Sequence, residues 1–293
     1  MNALKTAFLL GLLSVLVLFA GETIGGRTGL EYGLVAAVGM NVFSYFFSDK
    51  ISLATYSAQP VTPQENPEVY RRVSGIVQGL AQRMNIPMPK LWLIPDPSPN
   101  AFATGRNPKH ASVAFTEGIL SLMTDRELEG VVAHELGHVL HRDILTSSVA
   151  ATLATAITFL ARMAFWFGPR SDNDEEGGGF GGILMMILAP IAAMLIQMAI
   201  SRSREFDADE ASAKYTANPD ELISALGKLE TGIQRVPMDA TPATAHLFIL
   251  NPFAAGGLAK MFSTHPSTEE RIARLQAMKL QGTTGDAYRN VRR

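Results

Sequence analysis

The stretch AHELGHVLHRD, residues 133–143, decides how the rest of the chain is read. It holds His134, His138 and His141, half of the chain's six histidines. Upstream, Thr124 followed by Glu127 forms a capping box that starts a helix at Asp125, and no breaker interrupts that helix before Arg142. Residues four apart on a helix share one face, so the spacing predicts that His134 and His138 aim their imidazoles at a single point. That arrangement is a metal pincer. Glu135 sits too close to the first histidine to complete it but is placed to reach a water on the metal.

H-E-x-x-H is the zinc-hydrolase pattern, in which the glutamate is general base. The chain has no cysteine, so a metal must rest on His, Asp or Glu. A catalytic zinc takes three protein ligands and keeps its fourth position for water. His141 lies another turn along the helix, too far to join both histidines in a tetrahedron, and reads as a C-terminal histidine favoured by the helix dipole. The metzincin extension needs Gly at 141 and His at 144, where this chain has His141 and Ile144, so that form is excluded. The third ligand is expected from REFDAD, where Glu205 and Asp209 stand four apart. One carboxylate binds metal while the other orients a ligand histidine; Glu205 is assigned to zinc and Asp209 to support. Without the histidine pair, such acidic residues would read as a solvated helix face.

A net charge of -2 and the lack of any Lys/Arg-rich run argue against a nucleic-acid partner. A positive mean hydropathy of +0.14 alongside 18% charged residues points elsewhere. The apolar excess falls in four blocks, residues 6–21, 30–47, 144–168 and 183–200, each close to the length of a membrane-crossing helix. The first is read as a retained anchor, with a signal peptide as the alternative; Leu18 is a poor residue for a cleavage site. The last two are read as crossings, with a buried hairpin of core helices as the alternative, given Arg162, Pro190 and Gln197. Lys5, Lys50, Arg142, Arg202 and Arg204 then flank one side. The linkers 22–31 and the acidic, glycine-rich 169–182 fall on the other, which puts both termini and the polar segment in the cytoplasm.

In that polar segment, PEVYRRVSGIVQGLAQRMN spaces its apolar residues as an amphipathic helix. KLWLIPD, NAFATG and ASVAFTEG are extended candidates bounded by turn residues, and suggest a small sheet. No breaker separates the H-E-x-x-H helix from the third apolar block, or the fourth block from SRSREFDADEASAKY, so each polar helix reads as continuing a membrane helix. Two more helices start near Pro219 and Ser267.

Together, the paired N-terminal apolar helices, NAFATG, HELGHVLHRD, the second apolar pair, SRSREFDADEASA and THPSTEERI resemble the HtpX family of bacterial membrane zinc metalloproteases. The match runs over nearly the whole chain. The resemblance implies a mostly α membrane protein with four transmembrane helices and a cytoplasmic α+β zincin-like protease domain with a small sheet. In that scheme residues 1–50 and 144–200 form the membrane pairs, and 51–143 and 201–293 form the protease domain. It also implies one Zn2+ per chain on His134, His138 and Glu205, with Glu135 as catalytic base. The bacterial inner membrane is the implied location, misfolded or damaged membrane proteins are the implied substrates, and the CAAX prenyl endopeptidases are implied relatives. NAFATG is a candidate edge strand for an extended substrate, with Asn100, Ala101 and Phe102 in contact with it, and an ordinary turn at Asn100 is the alternative. His265 is assigned to the developing oxyanion, with a plain turn histidine as the alternative. Two rival functions stand beside the endopeptidase: a membrane scaffold with a structural zinc closed by a fourth ligand such as His141 or Asp207, and a narrow processing peptidase for lipidated chains.

Overall fold

The apolar N-terminus forms one helical run, α1 (Asn2–Thr55), broken only at Gly26, whose φ of 56° and ψ of -137° are not helical. Glycine enters that left-handed region without a Cβ penalty. The computed structural model describes residues 2–147, 149, 202–236, 248–250 and 266–282. Across the break the two arms are joined by Asn41 Nδ2 donating to Ser14 Oγ at 2.8 Å. The expected linker at 22–31 is therefore helix with a one-residue break. Among the described residues one segment, Gly26–Phe47, is long and apolar enough to cross a membrane. It leaves Leu34, Val35, Val38 and Val42 exposed. The third and fourth apolar blocks lie almost wholly outside the described residues, and of the two blocks inside them only the second coincides with a candidate span, one where four were expected.

After α1 come β1 (Gln59–Pro60), α2 (Pro67–Arg83), β2 (Lys90–Ile94), β3 (Ala101–Gly105) and β4 (Ala111–Thr116). The sheet order is β1-β2-β4-β3, with β2 and β4 parallel and the other pairs antiparallel. Alternation decides its two faces. Leu91, Leu93, Ala101, Ala103, Val113 and Phe115 join the main core with α2. Ile94, Phe102 and Ala114 turn to the other side, against Leu53 at the end of α1 and against Phe248. The extended stretch expected to continue past Thr116 stops there, because the Thr116 hydroxyl accepts from Ile119 N–H and starts α3 (Glu117–Leu122).

Next, α4 (Asp125–Leu140) opens on the complete Thr124–Glu127 capping box. It is not continuous with the following segment. Arg142 takes φ 59°, its N–H donates to Val139 O at 3.1 Å, and Asp143 N–H donates to His138 O at 2.9 Å. These are the paired bonds of a Schellman stop.

Among the described residues three more helices follow: α5 (Arg202–Thr216), α6 (Pro219–Arg235) and α7 (Thr268–Gly282). Close approach decides where the first two sit on α4. A Cβ on Gly137 would lie 3.1 Å from Ala208 Cα and from Ala211 Cβ, so α5 packs directly on the α4 backbone. At Gly130 a Cβ would meet Leu222 N at 2.8 Å, so α6 does the same. Polar bonds fix the register: Ser212 Oγ donates to Gly130 O at 2.7 Å, and Glu127 accepts from Ser224 at 2.6 Å and Lys228 at 2.7 Å. Around these, Leu128, Val132, Leu136, Leu222, Leu226 and Leu229 form a core with no exposed surface.

Candidate active site

His134 and His138 rise from one face of α4, their ring centroids 4.9 Å apart and their planes 88° to each other. Because Gly137 lets α5 approach, Glu205 in the first turn of that helix faces both. Its Oε2 is 3.8 Å from His134 Nε2, and its Oε1 is 3.7 Å from His138 Nε2. One donor atom from each of the three lies within 4.8 Å of the others. A tetrahedral zinc with bonds of about 2.0–2.2 Å holds its donors roughly 3.3–3.6 Å apart, so small side-chain adjustments bring this set into range.

Charge fits as well. Glu135, Asp143, Glu205 and Asp209 crowd the two imidazoles, with Arg204 and Arg271 as counter-charges. With His138 neutral, as a ligand must be, four carboxylates against two guanidinium groups leave a surplus of two negative charges, which a dication neutralises. His138 feels the surplus: burial disfavours its proton, but the Asp143 bond and the Glu205 and Glu135 charges outweigh it and lift the ring to about 9. His134 is held below its ordinary value by burial and by the Arg271 charge, which keeps it neutral as a ligand must be. Among the described residues the cluster offers two imidazoles and one carboxylate, the donor set of a zinc site that keeps an open position.

Glu135 stands beside this cluster, 5% exposed, and its Oε2 accepts from Ala103 N–H on β3 at 2.8 Å. Burial pushes its carboxyl up, Glu205 adds to the push, and the opposing pull of His138, Ala103 and Arg271 leaves it at about 7. A base poised near neutrality is suited to exchanging protons with water.

Asp209, one turn after Glu205, places Oδ1 2.9 Å from His134 Nδ1. Despite burial, Arg271 and His134 hold its carboxyl below the usual range. Ala101 and Phe102 lie on β3, which forms the sheet edge nearest Glu135, and the Phe102 ring packs toward Tyr56 at 6.0 Å between centroids. Asn100 is buried; its N–H donates to Thr116 Oγ1 at 2.9 Å and its Oδ1 accepts from Ile249 N–H at 3.3 Å. His265 lies outside the described residues. His141 caps α4 and, with Asp207, lines a separate hollow of about 160 Å³ rather than the metal cluster.

Three residues of this neighbourhood received no role in the site from the sequence, although each lies inside a motif quoted above. Arg271 in THPSTEERI forks onto Asp209 and donates to Ile249 O at 2.9 Å. Asp143 closes HELGHVLHRD, and Arg204 precedes the third ligand. The signal was a charged residue in a motif whose other members were already engaged.

The model of peptidase family M48 matches residues 66–279. A protease HtpX homolog of Desulfatibacillum aliphaticivorans is 53% identical over 285 residues, covering 96% of this chain and 91% of the relative. One from Thermodesulfovibrio yellowstonii is 54% identical over 282 residues, covering 95% and 99%. The crystal structure of S. mikatae Ste24p superposes with a TM-score of 0.50 at 19% identity, over 94% of this chain; the chain spans 64% of that protein, and the likeness is one of fold. A cluster able to hold a metal, with His134 and His138 on α4 and Glu205 on α5, thus sits where the family model and half-identical relatives both align, and the chain belongs to peptidase family M48 as a zinc metalloprotease.

Proposed function

We propose that this chain is a multi-pass inner-membrane endopeptidase that hydrolyses peptide bonds of misfolded or damaged membrane proteins, with its active site facing the cytoplasm. The observation that carries the reading is the Glu135 contact: one carboxylate lies beside the metal-ligand cluster and accepts from the backbone of the edge strand β3. Base, metal ligands and a strand edge therefore converge, and a strand edge is the surface on which an extended polypeptide adds by backbone hydrogen bonds. The apolar α1, with its exposed side chains over Gly26–Phe47, supports the membrane location.

His134, His138 and Glu205 hold the zinc in this reading, and the zinc when bound polarises the scissile carbonyl and acidifies the attacking water. Glu135 accepts the water's proton and then hands it to the leaving amine. Asp209 fixes the tautomer of His134 by accepting from Nδ1, which leaves Nε2 for the metal. Ala101 offers outward backbone groups of β3 to the substrate, while Asn100 fastens the start of that strand and Phe102 anchors it from the other face. His265 is assigned to the developing oxyanion.

The test is cleavage of casein and of a destabilised membrane protein by detergent-purified, zinc-loaded protein, beside E135Q with zinc measured in both. Cleavage by the wild type alone, at equal zinc, supports the reading. Cleavage by E135Q at the wild-type rate overturns the role of Glu135, and cleavage by neither overturns the broad endopeptidase activity.

A further inference from the structure

We propose that Asp143, steadied by Arg204, is a positioning residue for His138, holding the second ligand as Asp209 and Arg271 hold the first. The proposal rests on the reading of His138 as a metal ligand and extends it to residues that no motif assigns. Asp143 Oδ2 lies 3.5 Å from His138 Nδ1, and Asp143 Oδ1 lies 3.4 Å from Arg204 Nε. Both charged residues are nearly sealed from solvent, Asp143 at 3% exposure and Arg204 at 7%. The other histidine shows the same order of groups: Nδ1 to the carboxylate of Asp209, and that carboxylate to the guanidinium of Arg271. In both cases Nδ1 faces the carboxylate and Nε2 faces Glu205.

The backbone is bent to make this possible. A straight continuation of α4 would carry residue 143 away along the axis, five residues past His138. Instead Arg142 occupies the left-handed region, unfavourable for a residue with a Cβ, and Asp143 N–H returns to the carbonyl of His138 at 2.9 Å. Main chain and side chain of Asp143 therefore both bind residue 138. Arg204 is the neighbour of Glu205, so the clamp also ties the helix of the third ligand to the end of the helix bearing the first two. Asp143 also starts the next turn, since Ser147 N–H donates to its carbonyl at 3.2 Å, and a purely structural role would end there.

The deciding measurement is zinc affinity of full-length D143N by competition with a chromophoric chelator, together with the visible spectrum of the cobalt-loaded protein. The expected result is a loss of about 10–100-fold in affinity with a shifted cobalt band, and partial recovery of both in D143E. Affinity within about twofold of wild type with an unchanged spectrum overturns the proposal, because a structural helix start does not report on the metal. Should D143N fail to fold, R204Q decides, since it loosens Asp143 without removing it. The same shifts at smaller size uphold the clamp, and wild-type values overturn it. A wild type that binds zinc fully yet cleaves nothing sinks the endopeptidase reading alone, because the affinity and spectrum need no turnover.

Discussion

Arg271 and Asp209 form a two-pronged ion pair wholly inside the protein, Nη2 to Oδ1 at 2.6 Å and Nε to Oδ2 at 2.9 Å, with exposures of 0% and 1%. Neither charge has water to turn to, so each depends on the other. Removing the cation by R271M leaves Asp209 buried and uncompensated beside His134. The expected cost is about 3–5 kcal/mol of stability, read by denaturation in detergent, with weakened zinc binding. R271K restores the charge but not the fork, and is expected to recover less than half of the loss. A wild-type melting curve for R271M would show that the pair contributes nothing.

A second buried charge makes a pH prediction. Burial alone would raise the Glu127 carboxyl, but Lys228, Ser224 and Thr124 bind it and hold it at about 2, below its ordinary value. The folded value lies under the unfolded one, so the contribution to stability is complete above the unfolded pKa and fades as pH falls toward 2. E127Q is therefore expected to be less stable than wild type by about 1–3 kcal/mol at pH 7. The gap should narrow steadily below pH of roughly 4.3. A gap independent of pH would mean that shape, rather than charge, links α4 to α6.

What the sequence made legible followed from local spacing. His134 and His138 are one turn apart, Glu205 and Asp209 another, and periodicity alone sets both pairs on helix faces. The strands read as well, because turn residues bound three short extended runs. What stayed hidden was of two kinds. Arg271 reaches His134 across 137 residues of sequence, and no local pattern reports a contact of that range. The end of α4 was hidden because its left-handed position carries Arg142 where glycine would have announced a stop. Likewise the charged, glycine-bearing stretch 22–31 suggested a loop, yet the chain needed only Gly26 to break the helix.

Gly137 governs the distance between the ligand helices. A methyl group there meets Ala208 Cα and Ala211 Cβ at 3.1 Å and Ala208 O at 3.3 Å, a few tenths of an ångström too close. G137A is expected to shift α5 slightly, keep the fold and weaken zinc binding several-fold, whereas G137V should cost about 1–3 kcal/mol by overpacking. Pairing G137A with A211G removes one of the close contacts and should restore part of the affinity. If G137A binds zinc as wild type does, the spacing of α4 and α5 does not control the site.

The surplus negative charge around the histidines predicts that zinc is part of the folded protein's stability as well as of its chemistry. Without a dication, Glu205 remains near Glu135 in a buried site, where Arg204, Arg271 and the His138 proton offset the carboxylates only in part. Chelation is expected to lower the melting temperature, and zinc at 100 times its Kd should return about 2.7 kcal/mol. E205Q separates the two contributions to that response. It removes a ligand and also one of the crowded charges, so its metal-free form should melt above the metal-free wild type while gaining little from added zinc. A metal-free E205Q that melts below the metal-free wild type would show that Glu205 is held by Arg271 more strongly than it is repelled by Glu135, and that the site is preformed without its ion.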